Sequence, residues 1–172
     1  MEWLEEANQM LYDLFNAQAR RGSEPAYIEY YPLHAAIERG DPYTFIQSLL
    51  DVRWPVEKYD WFCCTPLTYA VIKCLQHAVL SGDKKFVETT LINEKYKNWL
   101  EIVKVSRAAG AIPENMSLPI SSVEMTSSES VCSEPLDHYN INELVEEVKV
   151  ASDDIHNLQV KNKISELYTS LH

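Results

Sequence analysis

The stretch Pro32-Leu33-His34-Ala35-Ala36-Ile37-Glu38-Arg39-Gly40-Asp41 has a second version, Thr65-Pro66-Leu67-Thr68-Tyr69-Ala70, with Pro66 34 positions after Pro32. The first runs on into Phe45-Ile46 and Leu49-Leu50. The second runs on through Gly82-Asp83 into Phe86-Val87 and Leu91-Ile92. Recurrence at this period is the mark of stacked repeats, each one supersecondary unit that buries its apolar face against its neighbour. The expected fold class is all-α.

Each copy follows from the chemistry of its residues. Pro is tolerated at the first helical position, where its missing N–H has no helical partner to lose. Thr65 is placed to cap the helix that Pro66 opens. Leu33 and Ala36 match Leu67 and Ala70, a large and a small apolar residue one turn apart, which suits a close helix–helix seam. Gly40 is the residue to close the first helix in the left-handed conformation. Asp41-Pro42 is expected to restart a helix as cap and first position, with Phe45, Ile46, Leu49 and Leu50 at helical spacing.

The pattern resembles the ankyrin repeat, whose signature T-P-L-H-x-A is followed by a Gly and an apolar second helix. The first copy has His34 but carries Tyr31 where the family has Thr; the second has Thr65 but carries Thr68 where the family has His. The Thr–His hydrogen bond with which the family ties its turn is therefore available in neither copy. Ala70 to Gly82 is 12 positions against 4 from Ala36 to Gly40, so the second first-helix is about two turns longer. Glu101-Ile102-Val103-Lys104 through Ala109-Gly110-Ala111 resembles the end of a third repeat's second helix. The resemblance implies a short helical-hairpin solenoid that offers a protein partner a surface and has no built-in catalytic apparatus.

Outward from the repeats, residues 1–24 read as an N-terminal capping helix, with Trp3, Leu4, Ala7, Leu11, Leu14 and Phe15 on one face. Residues 25–112 hold the repeats. Residues 113–138, rich in Ser, Pro and acids, read as a disordered linker, in which Ser127-Ser128-Glu129-Ser130 resembles an acidic-directed phosphorylation site. Residues 139–172 read as C-terminal helices. Asn140 and Glu143 form a capping box ahead of Ile141, Leu144, Val145, Val148 and Ala151, and Ser152-Asp153-Asp154 recaps a segment carrying Ile155, Leu158, Ile164, Leu167 and Leu171. These helices either pack back onto the stack or serve as a separate docking or dimerising element.

The 172 residues carry a net charge of −11, with −3 in residues 1–112 (15 acids, 12 bases) and −8 in residues 113–172 (11 acids, 3 bases). No basic stripe exists, which argues against nucleic acid. No apolar run reaches 18 residues, so no membrane partner is expected, and the acidic start Met1-Glu2-Trp3-Leu4-Glu5-Glu6 argues against a secretory signal. Cys63, Cys64, Cys74 and Cys132 follow no disulfide framework, which points to a reducing, cytoplasmic interior, including that of a host cell into which a virus or bacterium delivers the protein.

No catalytic residue stands out. Cys63, Cys64, Cys74 and His77 could supply soft zinc ligands, and Cys74–His77 a nucleophile pair. Adjacent cysteines rarely reach one metal, however, and no C-x-x-C knuckle or third orienting group is present, so neither metal nor cofactor is expected. His34 reads as a structural turn residue rather than a base. The binding candidates are aromatic: Trp54, Tyr59, Trp61 and Phe62 lie where an ankyrin-like unit projects its loop, and Tyr27, Tyr30 and Tyr31 occupy the equivalent stretch before the first copy, which favours a shared exposed face. They either anchor a partner or plug the gap beside the long helix. The leading expectation is a non-enzymatic adaptor or inhibitor. The rivals are a structural subunit assembling through residues 139–172 and a Cys/His metal-dependent regulator.

Overall fold

The computed structural model describes residues 25–82, 89–116, 141–153 and 157–172, together with Gln9. Within them lie α1 (Pro25–Tyr30), α2 (Pro32–Arg39), α3 (Tyr43–Asp51), α4 (Pro66–Leu80), α5 (Thr89–Ala108), a 3-10 turn (Pro113–Asn115), α6 (Ile141–Ser152) and α7 (Leu158–Leu171). The described residues contain no strand, and none of their helices is long and apolar enough to cross a membrane. The expected N-terminal helix, the linker and the Asn140 cap lie outside the described residues, except for Gln9 and the linker's first residues, 113–116.

The two copies lie side by side. α2 packs on α4 and α3 packs on α5, while α4 and α5 share the most extensive contact among the described elements. Every residue of α4 from Pro66 to Val79 is buried, as befits a helix covered on all sides. The covering comes from α2 and α5, and from α6 and α7, which fold back onto α4. The buried side chains Val160, Ile164, Leu167 and Leu171 make a helical stripe on α7, each apolar side chain contributing about 1.5–3 kcal/mol on removal from water.

The helix ends show what the sequence signals do. Gly40 adopts φ 74°, and the N–H groups of Gly40 and Asp41 return to Ile37 O and Ala36 O, closing α2 as expected. Asp41 does not cap α3; its carboxylate pairs with Arg39 at 2.8 Å, and the helix begins one residue after Pro42. The cap comes from α5 instead. Asn98 Oδ1 accepts Tyr43 N–H at 2.9 Å, and Asn98 Nδ2 donates to the Gly40 and Asp41 carbonyls. Trp99 lies over the same turn, donates Nε1–H to Ile37 O at 3.1 Å, and sits so close that a Cβ on Gly40 would come within 2.7 Å of its ring.

Other expectations shift in detail. Thr65 is the N-cap residue of α4, but its hydroxyl pairs with Thr68 Oγ1 at 3.1 Å rather than with a helix N–H. Residues 101–108 are the continuous end of α5, a 20-residue helix, and form no separate third hairpin. α7 is capped by Asn157, whose side chain accepts from Gln159 and Val160 N–H, rather than by Ser152-Asp153-Asp154. Leu158 lies off the 4-3-4 stripe of Val160, Ile164, Leu167 and Leu171 and faces solvent, and Val160 takes the core position one turn before Ile164.

Candidate functional site

The segment between α3 and α4 is the most elaborate loop among the described residues. Two non-glycine residues with positive φ, Arg53 (66°) and Cys63 (62°), lie near its ends. Such conformations cost on the order of 1–3 kcal/mol each and persist only where surroundings impose them. Around Cys63 the surroundings are polar and buried, whereas Arg53 lies at the surface with its N–H bonded to Leu50 O at the end of α3.

Asp60 is the centre. Its side chain is fully buried, and Oδ1 accepts the N–H groups of Phe62 (2.9 Å) and Cys64 (3.0 Å). Oδ2 accepts the Tyr27 hydroxyl at 2.6 Å and the Tyr69 hydroxyl. One carboxylate thus ties the loop to itself, to α1 and to α4. Burial, then the charge of Asp60, pushes the Tyr27 hydroxyl pKa well above its usual value, so Tyr27 remains a donor. His34 makes the second tie. Its Nε2–H is shared between the Lys58 (2.9 Å) and Cys64 (3.0 Å) carbonyls, which assigns the hydrogen to Nε2. Burial lowers the His34 pKa, so the ring is neutral at pH 7 and serves as a clamp. Glu57 makes a third tie, accepting Ile112 N–H at 2.8 Å and Asn115 Nδ2–H at 2.7 Å, which joins the loop to the chain beyond α5.

The aromatic residues then fall into two groups. Tyr27 is 1% exposed, Tyr31 5% and Phe62 8%, all in the core, which removes them from the expected exposed face and as anchors that a partner could reach. Tyr31 stacks edge-on to Trp61 at 5.4 Å and to His34 at 5.3 Å, and burial pushes its hydroxyl up to about 12. Trp61 is half-buried against Tyr27, Tyr30 and Tyr31, with an edge in solvent. Tyr59 is also half-buried. Tyr30, 55% exposed, and Trp54, 39% exposed, are open to solvent. Beside Tyr30 and Trp61 the Lys58 amine lies 5.2 Å from the centre of the Tyr31 ring and approaches Tyr30 O at 3.4 Å. The structure joins Tyr30, Lys58 and Trp61 in one patch.

The cysteine and histidine candidates separate. Cys63 is disulfide-bonded, so the reading that the cysteines are unpaired does not hold there, and the argument for a reducing compartment loses that support. Sequence spacing missed it because pairing depends on which chain segments meet in space. Cys64 donates its thiol to Phe62 O, and Cys74 is fully buried with its pKa raised by desolvation, the opposite of an activated nucleophile. His77 donates Nδ1–H to Lys73 O at 2.8 Å and lies 4.5 Å from Trp99, ring centre to ring centre. Among the described residues no three His, Cys, Asp or Glu side chains converge as metal ligands. Burial lowers His77 to about 4 and Lys73 to about 7, and both sit with buried Glu38 where α2, α4 and α5 meet.

Sequence reasoning gave Asp60 and Glu57 no role. The spacing of Asp60 to Phe62, an Asx-type turn over two residues, was a signal for half of the Asp60 site. The tyrosines from α1 and α4 left no such trace. No family model, no curated protein and no solved structure matches this chain.

Proposed function

We propose that this protein is a non-enzymatic interaction module of ankyrin-like type, acting as an adaptor or inhibitor by binding a partner protein through the aromatic loop end. The observation that carries the reading is the contrast within the loop: buried Asp60 and His34, with half-buried Glu57, tie the backbone down, while Tyr30 and Trp54 stand in solvent with half-exposed Trp61. Exposed aromatics on a preordered frame lose little entropy on binding, and Tyr and Trp are the residues that most often dominate interface energies. The seating of α2 on α4 and α3 on α5 supports the ankyrin-like reading, with Thr65–Thr68 standing where the family has its Thr–His bond. The apolar faces of α6 and α7 are spent on α4, α5 and each other, which counts against assembly through the C-terminal helices.

The test is affinity capture from native host cells with wild type and the double variant Tyr30→Ala/Trp54→Ala. Partners held by wild type and lost by the variant, with circular dichroism unchanged, support the reading. An identical set of captured proteins overturns it.

A further inference from the structure

We draw no further inference here: the strongest candidate, the apolar surface patch that Phe45 and Val52 leave exposed along α3, is an unpartnered face, and nothing in the structure shows what covers it.

Discussion

The hairpins α2–α3 and α4–α5 start with the same Pro-Leu-x-x-Ala and end as different objects. The first has helices of 8 and 9 residues, the second of 15 and 20. The second carries the core: α4 is buried along almost its whole length, and α6 and α7 close over it. The first leans on the second. Its turn is capped by Asn98 and Trp99 of α5, and the loop that leaves it is held by Asp60 through Tyr69 of α4. Two similar local sequences therefore give a central unit and a peripheral one, the difference lying in which tertiary partners cover them and satisfy their polar ends.

Removing Trp99 attacks this dependence most directly. Trp99→Ala deletes a buried ring and the donor to Ile37 O, a loss of about 3–5 kcal/mol. Amide exchange followed by fragment mass spectrometry should show protection lost first across residues 32–51. Equal loss in α4 would show instead that the hairpins form one cooperative unit.

Asp60→Ala comes next. It strands the Tyr27 and Tyr69 hydroxyls and two backbone N–H groups, and should cost about 3 kcal/mol in urea unfolding. Trp61 emission should shift toward the red as the loop opens. An unshifted spectrum would mean that apolar packing alone places the loop.

Acid should loosen the junction of the two hairpins. The folded state holds His77 neutral down to about 4, whereas the unfolded chain takes up the proton near 6.5. Its contribution is thus intact above pH 6.5 and is lost as pH falls toward 4, by about 2–3 kcal/mol. Buried His34 acts in the same sense. Lys73, lowered to about 7, extends the rise in stability from pH 7 upward toward 10.5. Urea titrations of wild type and His77→Gln between pH 4.5 and 7.5 isolate the His77 share; parallel curves would remove it.

Gly40→Ala should cost about 2 kcal/mol, through the positive φ and the clash with Trp99. The smallest effect belongs to the surface: Tyr30→Ala/Trp54→Ala should leave the melting temperature within the change expected of about 0.5 kcal/mol. A larger loss would make those aromatics structural parts of the loop.

By itself the sequence determined the all-helical class and several of the helix ends. Pro32, Pro66 and Gly40 act within a turn of their own position, and the apolar spacing of α6 marked Ile141, Leu144, Val145 and Val148 as core. Short-range chemistry of this kind is written in neighbouring residues. Tertiary structure alone decided the rest. It buried Tyr31 and Phe62 yet left Tyr30 and Trp54 in solvent, chose Asn98 over Asp41 as the cap of α3, and joined Asp60 to tyrosines 33 positions upstream and 9 downstream. The physical reason is that a buried polar group must find a partner wherever the packed chain brings one, and sequence distance does not limit where that is.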